Sequence, residues 1–358
     1  MTPRGRGAGA VTLKDVAAAA GVSVATASQA LAGVGRMTEA TRQRVQQAAE
    51  DLGYLANALA RGLRTGRTQA LGVHHQSAAQ SLATSYFRDF LAGAIEAAHR
   101  HDHDIVVLSS DTSRPRTTAP HVDGVVVVDP IADDLRAREL MELPVPVVAG
   151  EHVPPEMPAC TVVAADHATA VRSLLDVAAA HGARRPFLAA PDRHSGWGNL
   201  LRDLVRAWAT ERGTTPVLVD TRFGERDVAR HRALLEPVLR EHPEVDLVLC
   251  ASSFATQAAL EVLRATGRRP GVDVLVAAGA DDSGLLEEDP PVTAIELPAH
   301  DLGVACVERL IEVLDDPRGP GPALGTVRTV PAPLHLRAST ARPLPGPAGA
   351  PVAVAGRA

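Results

Sequence analysis

The chain has 358 residues, of which 46% are hydrophobic and 22% charged, a composition typical of a soluble globular protein with two or three folding units. It has no apolar run long enough to span a membrane and no charged segment leading into an apolar one at its N-terminus, so we expect a cytoplasmic location. The net charge of −6 is unevenly distributed: residues 1–68 contain nine basic and four acidic residues, a net of +5, whereas the remainder contains 27 and 38, a net of −11. A basic head on an acidic body is expected if only the head contacts a polyanion, and a solvated fluctuation in charge is the alternative.

Three short helices are predicted in the basic head. The first lies in TLKDVAAAA, with Thr12 as its N-cap and Gly21 at its end. Ser23 caps a second helix that runs to about Ala32, and Thr38 opens a third in TEATRQRVQQAAEDLGY. The third helix has an apolar face at Val45, Ala48, Ala49 and Leu52. Two short helices joined by a glycine-containing turn and completed by a third are typical of a helix-turn-helix DNA-binding domain, here residues 11–56 after a flexible N-terminus of residues 1–10.

From residue 69 onward, short β-rich runs alternate with helical or loop segments. The runs are ALGV, DIVVLSSD, VDGVVVV, VPVVAG, RPFLAA, PVLVD, VDLVLCAS and VDVLVAAG. This alternation predicts parallel sheets covered by helices, an α/β architecture, in a core of residues 69–339. The tail of residues 340–358 is rich in Pro, Gly and Ala and is predicted to be disordered.

The sequence offers no basis for predicting an enzyme, a metal site or a cofactor. Nucleotide-binding glycine motifs, the GxSxG nucleophile motif and the HExxH zinc motif are all missing. Cys160, Cys250 and Cys306 are far apart and lack CxxC spacing, which argues against a zinc site and a disulfide framework. The three histidines of HRHDH (residues 99–103) fall at a predicted helix end, where solvated cationic side chains are common.

Three segments contain the helix-turn-helix pattern and the residues that follow it: VTLKDVAAAAGVSVATASQAL, RMTEATRQRVQQAAEDLGY and NALARGLRTGRT. Together they closely resemble the N-terminus of the lactose-repressor (LacI/GalR) family of bacterial transcription regulators, and a weaker likeness continues to LHLRAST near the end of the chain. The resemblance implies a hinge helix and linker at residues 57–68. It also implies that the core consists of two doubly wound, parallel-sheet subdomains of the periplasmic-binding-protein type.

The same resemblance implies that the chain passes between the two subdomains near Asp166, Thr293 and Val327. The N-subdomain is expected at about residues 69–165 and 297–326. The C-subdomain is expected at about residues 166–293 and 327–339.

The second helix is predicted to read DNA bases. Packing its apolar face against the first helix leaves Ala25 and Gln29 on the opposite side, toward the major groove. Val24 lies at the flank, where the family places a further base contact. Gln29 can form two hydrogen bonds to adenine, whereas Val24 and Ala25 can contact a thymine methyl group. A solvated helix surface is the alternative for Gln29.

Short hydroxyl-bearing and basic side chains around this helix are expected to contact DNA phosphates. These residues are Ser23, Thr26, Ser28, Arg36 and Thr38. Helix capping alone also explains Ser23.

The resemblance further implies that the two hinge helices of a dimer pair in the minor groove and that a leucine from each wedges between bases. The matching leucine is Leu63. The other candidate hinge residues are Asn57, Ala60, Arg61 and Arg64. The family commonly has Pro before the Asn, and Ala56 occupies that position here, which leaves the start of the hinge helix less fixed.

A small-molecule effector is implied in the cleft between the subdomains, at the carboxyl ends of the parallel strands. The candidate effector-binding residues are His74, Trp197, Arg202, Phe223, Ser253, Phe254 and Asp281. The chain departs from the family here, because Ser252 and Ser253 replace an Asn-Asp pair and Leu201 replaces an Arg that grips the ligand. A sugar is therefore one candidate effector; a less polar ligand, or none at all, are the others.

These features together predict a DNA-binding transcriptional regulator: a homodimeric repressor of a pseudo-palindromic operator, with an affinity for DNA set by the effector. Dimerisation is expected through the N-subdomain, and no membrane contact is expected. A ligand-independent regulator or architectural protein with a degenerate effector site is the alternative. A solute-binding protein would share the core but lack the basic helix-turn-helix, which argues against that class.

Overall fold

The computed structural model describes residues 11–31, 34–54, 67–76, 78–82, 84–109, 121–316 and 327–341. The chain separates into two compact units, a head at Met1–Thr68 and a core at Gln69–Ala358. Within the described ranges, none of the helices is both long and apolar enough to cross a membrane.

The head contains the three predicted helices, α1 (Leu13–Ala19), α2 (Val24–Leu31) and α3 (Glu39–Asp51). Their facing sides form a small apolar core of Val16, Ala17, Ala20, Ala27, Ala30, Val45, Ala48 and Ala49. Leu52, expected on the buried face of α3, is 38% exposed because the helix ends at Asp51 and Leu52 is its C-cap. Small side chains thus let the three short helices approach closely.

Side-chain hydrogen bonds fix the orientation of these helices. The Asp15 carboxylate accepts hydrogen bonds from the hydroxyl (2.6 Å) and the backbone N–H (2.8 Å) of Thr12, and these bonds lower the pKa of Asp15. Arg44 on α3 donates from Nε to the backbone O of Ala20 at 3.1 Å, just past the C-terminal end of α1. A cation at that position also stabilises the negative end of the helix dipole.

The first sheet of the core contains six strands, all parallel. In chain order they are β1 (Ala70–His74), β2 (Asp104–Val107), β3 (Gly124–Val128), β4 (Val147–Gly150), β5 (Thr161–Ala165) and β11 (Val327–Val330). Across the sheet the order is β11, β5, β4, β3, β1 and β2. The helices of this subdomain are α4 (Ala78–Ser81), α5 (Ser85–Arg100), α6 (Leu135–Met141) and α12 (Ala299–Leu314).

The second sheet also contains six strands, five of them parallel. They are β6 (Pro186–Pro191), β7 (Val217–Thr221), β8 (Leu247–Cys250), β9 (Leu275–Ala278), β10 (Thr293–Ile295) and β12 (Leu334–His335). Across the sheet the order is β12, β10, β9, β8, β6 and β7, and β12 is antiparallel to β10. The helices here are α7 (His167–Ala180), α8 (Gly196–Glu211), α9 (Val228–Glu241), α10 (Ser253–Ala265) and α11 (Ser283–Leu286).

Two doubly wound sheets confirm the predicted α/β core, and all eight β-rich runs of the sequence form strands. Strands β5, β10, β11 and β12 were not predicted. Strands β10 and β12 have only three and two residues, so their apolar signal is short. The run TVVAA of β5 is as long and apolar as the strands that were predicted, so its signal was present in the sequence.

The last crossing between the subdomains lies farther along the chain than expected. Residues 327–330 were assigned to the C-subdomain, which is wrong, because β11 pairs in parallel with β5 from Val327 opposite Val162 onward. The chain therefore crosses after Val330. Three of the four β11 residues are exposed at the sheet edge, so polar side chains obscure the strand in the sequence. The other two crossings lie between β5 and α7 and between β10 and α12.

Helices α5 and α12 pack with their backbones in direct contact. A Cβ atom at Gly93 would lie 2.0 Å from the backbone O of His300, and one at Gly303 would lie 2.1 Å from that of Phe90. Both distances are far below van der Waals contact, so the packing admits only glycine at these positions.

Replacing Gly303 by Ala should destabilise the core by about 1–3 kcal/mol, because the added methyl group forces the two helices apart. The measurement is the free energy of unfolding of the core in urea. Gly284→Ala in α11 is the matched control, since its Cβ would meet only the side-chain atoms Asp282 Oδ1 and Gln257 Nε2, both at 3.2 Å. Equal losses for the two variants would show that the helix contact does not constrain Gly303.

Candidate functional site

One face of α2 is exposed and carries no charged side chain. Val24 is 43% exposed, and Ala25 and Gln29 are exposed as well. Ala27 and Ala30 on the other face are buried against α1 and α3. Helical spacing therefore separates the three candidate base-reading residues from the residues that hold the helix in place.

The side chain of Gln29 packs against the loop that follows α2. Gly35 has a φ of +88°, and a Cβ atom there would lie 2.8 Å from Gln29 Oε1. The backbone O of Gln29 accepts a hydrogen bond from the N–H of Val34 at 3.0 Å. A glycine in this loop thus makes room for the Gln29 amide, which remains accessible at the surface.

Two of the candidate phosphate-contacting residues act as helix caps. Ser23 Oγ accepts a hydrogen bond from the N–H of Thr26 at 3.0 Å, and Thr38 Oγ1 accepts one from the N–H of Thr41 at 3.3 Å. Ser28 is half-buried and Arg36 is exposed. The candidate hinge residues Asn57, Ala60, Arg61, Leu63 and Arg64 lie outside the described residues.

The carboxyl ends of parallel strands from both sheets of the core border a cavity of about 780 Å³. Strands β1, β3 and β4 contribute from the first sheet, and β6, β7, β8 and β9 contribute from the second. This edge of a parallel sheet is where α/β proteins bind ligands. Four of the candidate effector residues line the cavity: Trp197, Phe223, Ser253 and Phe254.

His74 does not line the cavity, so the expectation that it faces the effector is wrong. Its side chain is fully buried, and its Nε2 lies 2.8 Å from Asp134 Oδ2. Burial opposes the charge of Asp134, but hydrogen bonds from His74 and from backbone N–H groups outweigh it and lower the pKa of Asp134. Asp134 Oδ1 also accepts from the N–H of Ala137 at 2.9 Å, so the pair fixes the start of α6.

The next residue, His75, lines the cavity instead. Its ring centroid lies 4.9 Å from that of Phe87. Burial, together with the electrostatic effects of His74 and Arg226, lowers the pKa of His75 to about 4. The ring is therefore neutral near pH 7 and offers hydrogen bonds rather than charge.

Arg202 and Asp281 are likewise engaged inside the second subdomain and do not line the cavity, contrary to expectation. Arg202 donates hydrogen bonds to Asn199 Oδ1 at 2.8 Å and to Asp220 Oδ1 at 3.1 Å. Asp281 accepts two hydrogen bonds from the guanidinium of Arg337, at 2.8 and 2.5 Å. Both side chains join segments that are distant in sequence.

Asp129, Glu151 and His167 are among the charged or titratable residues of the cavity wall that were not predicted. Glu151 is 4% exposed, accepts a hydrogen bond from the N–H of Ala165 at 3.1 Å and lies 3.0 Å from His167 Nε2. Burial, followed by the charge of Glu151, raises the pKa of Asp129 well above its ordinary value. Each carboxylate directly follows a buried strand, β3 or β4, and that position is the sequence signal that identifies them.

Backbone and side-chain contacts between two loops join the two subdomains across the cleft. Ile131 forms an antiparallel bridge with Ser195, and the N–H of Ala132 donates to the backbone O of His194 at 2.9 Å. His194 Nδ1 lies 3.1 Å from Asp133 Oδ2. We call residues 131–133 and 194–195 the cleft clasp. The clasp links the subdomains independently of the three crossing segments.

Comparisons with known proteins agree with this architecture. Residues 12–57 match the family described as "Bacterial regulatory proteins, lacI family", and residues 175–340 match "Periplasmic binding protein-like domain". Among solved structures, the lac repressor dimer bound to operator and the anti-inducer ONPF is similar, with a TM-score of 0.72 at 23% identity, over 92% of this chain and 99% of that one. A CelR–cellobiose complex has a TM-score of 0.62 at 24% identity, over 92% of this chain and 99% of that one.

The likeness extends along the sequence as well as the fold. The HTH-type transcriptional regulator CelR of Thermobifida fusca is 31% identical over 320 residues, which cover 84% of this chain and 91% of that protein. The helix-turn-helix lies within residues 12–57 and the second sheet lies within residues 175–340, the two ranges matched by the families named above. The chain therefore belongs to the lacI family of bacterial regulatory proteins.

Proposed function

We propose that this lacI-family transcriptional regulator is a homodimeric repressor that binds a pseudo-palindromic operator and responds to a small molecule in the core cleft. One observation carries the proposal. The same chain joins a head that exposes an uncharged α2 face to a core whose two parallel sheets border a cavity of about 780 Å³. The first feature fits the major groove of DNA, and the second fits a small ligand.

In the head, α2 enters the major groove. Gln29 reads an adenine edge through its amide, while Val24 and Ala25 contact thymine methyl groups. Phosphates on either side are held by Ser23, Thr26, Ser28, Arg36 and Thr38. Leu63 of the hinge segment wedges into the minor groove, with Asn57, Ala60, Arg61 and Arg64 around it.

Two copies bind together, because one helix-turn-helix reads too few base pairs for a specific site. The N-subdomain offers a surface for the second copy at β2, the edge strand of the first sheet. Val106 and Val107 on β2 are 40% and 45% exposed, and Ile95 on α5 is 54% exposed. Apolar side chains on an edge strand favour burial against a second copy of the same edge.

In the core, the effector binds among Trp197, Phe223, Ser253 and Phe254. Its contacts with both sheets bias the relative orientation of the subdomains, and hence whether the paired hinge segments become ordered on DNA. CelR has been solved with cellobiose, which makes a sugar one candidate ligand class. A ligand-independent regulator is the second candidate, and it is favoured by the engagement of Arg202 and Asp281 within the protein.

The experiment that tests the operator proposal is selection of bound fragments from genomic DNA by the full-length chain. We expect recovery of a pseudo-palindrome whose half-sites follow the two-fold symmetry of the dimer. Recovery of random or asymmetric sequences would contradict a dimeric, sequence-specific repressor.

Gln29→Ala should relax base preference at one position of each half-site, at a cost of about 1–3 kcal/mol in discrimination, because only the amide reads adenine there. The measurement is the affinity for operators that differ at single positions. Gln46→Ala on the exposed side of α3 is the control and should leave the preference unchanged. A uniform loss over all operators for Gln29→Ala would exclude a base-reading role.

Leu63→Ala should weaken binding to every operator by about tenfold or more, because the wedge that offsets the cost of bending DNA is lost. Affinity is measured on the same operator set, and DNA bending by circular-permutation electrophoresis. Ala58→Gly in the same segment is a control for helix propensity alone. If Leu63→Ala changed base preference but not bending, the wedge role would be rejected.

Val107→Asp should raise the dissociation constant of the dimer by about tenfold or more, since a buried interface does not accept an unpaired carboxylate. Sedimentation equilibrium measures the change. Leu234→Asp on α9 introduces the same charge at a residue that is 40% exposed and should leave the dimer intact. Equal dimerisation of both variants would place the interface elsewhere.

A further inference from the structure

The carboxylate of Asp129 lines the cleft cavity without a protein partner. Asp129 directly follows β3, its φ is +47°, and its backbone N–H donates to the backbone O of Gly150 at 2.8 Å. Its side-chain oxygens form no hydrogen bond or ion pair with any residue that the structure describes. The backbone therefore holds a carboxylate at the cavity in a left-handed conformation, which costs most residues free energy but which Asp tolerates better.

A second carboxylate stands beside it. Glu151 follows β4, the neighbouring strand, and has a φ of +88°. Unlike Asp129, Glu151 is compensated by His167 Nε2 at 3.0 Å and by the N–H of Ala165 at 3.1 Å. The field of Glu151 adds to the cost of burying the Asp129 charge, which is why the pKa of Asp129 is raised.

The histidines on the same wall of the cavity do not neutralise the charge of the Asp129 carboxylate. His75 is neutral near pH 7 because its pKa is about 4, and His167 is paired with Glu151. The arginines that line the cavity all follow β7, on the wall formed by the second sheet. They are Arg222, Arg226 and Arg230. The wall formed by the first sheet thus presents the Asp129 and Glu151 carboxylates, whereas the opposite wall combines these arginines with the carboxylates of Asp192 and Glu225.

Two buried side-chain nitrogens near this wall also have no hydrogen-bond partner among the described residues. They are Nδ1 of His167 and Nε1 of Trp197. His167 is only 2% exposed, and its Nε2 lies 3.0 Å from Glu151 Oε2, which leaves Nδ1 to contact a ligand. The aromatic rings of Tyr86, Phe87 and Trp197 also line the cavity. The Asp129 carboxylate and the aromatic faces suit a positively charged group with N–H donors, and the Trp197 N–H suits an acceptor such as a hydroxyl oxygen on the same ligand.

We propose that the effector is a polar amine whose protonated amino group forms an ion pair with Asp129, and that amino sugars belong to this class. The inference rests on the proposed function, because it names the chemical class that the cleft binds. A charge-assisted hydrogen bond from an ammonium group to a carboxylate is stronger than a hydrogen bond from a neutral hydroxyl. A ligand hydroxyl at the same place would leave the Asp129 charge uncompensated.

The test compares matched probes by isothermal titration calorimetry on the full-length protein. The amines are glucosamine, galactosamine and mannosamine. Each is paired with its neutral parent sugar and with its N-acetyl derivative, which keeps the nitrogen and removes the charge. We expect at least one amine to bind about tenfold or more tightly than both of its neutral partners.

Asp129→Asn should abolish that preference, because it keeps the shape of the side chain and removes its charge. The variant should fold with a melting temperature no lower than that of the parent, since the Asp129 side chain has no hydrogen bond or ion pair with a described residue for the substitution to break. Asp203→Asn on α8 is the control, because that carboxylate is 75% exposed and lies outside the cavity, and it should keep the preference.

Three results would overturn the inference. They are equal or tighter binding of the neutral partners, retention of the amine preference in Asp129→Asn, and no binding of any probe at millimolar concentration.

Operator affinity with and without each probe is measured in parallel. Release of operator by a neutral sugar would reject the amine and leave the proposed function standing, whereas loss of specific operator binding in the ligand-free protein would reject the proposed function itself.

Discussion

The core depends on one constraint: the chain passes between its two sheets three times. The crossings lie between β5 and α7, between β10 and α12, and after Val330, so each subdomain is assembled from segments that are far apart in sequence. Neither subdomain can separate from the other, and the motion left to them is a rotation about three short connections. The carboxyl ends of the strands border the cavity, which places ligand contacts from both sheets where that rotation changes the distance between them.

Much of the fold follows from local sequence, because helix caps, glycine ends and apolar runs are short-range signals. The same reasoning identified Trp197, Phe223, Ser253 and Phe254 as cavity residues. The prediction that His74 lines the cavity is wrong by one position. Side chains along a strand alternate between opposite faces, and His75 lines the cavity instead.

Other predictions are wrong because the residues pair with partners that are distant in sequence. Asp281 is held by Arg337, and Arg202 by Asp220, and a single sequence does not reveal such pairs. Strand β11 is recognisable only from its pairing with β5, because most of its side chains are exposed at the sheet edge. Asp129, by contrast, was within reach of sequence reasoning, since a charged residue directly after a buried run of four valines marks the ligand-facing end of a strand.

The cleft clasp has a consequence for the opening of the core. With Ile131 bridged to Ser195 and His194 beside Asp133, the two loops form a fourth link between the subdomains, made of backbone and side-chain hydrogen bonds rather than covalent chain. A rotation that separates the two loops has to break these contacts as well as bend the three connections. The backbone and side-chain bonds of the clasp therefore add to the free-energy difference between a closed and an open arrangement of the core.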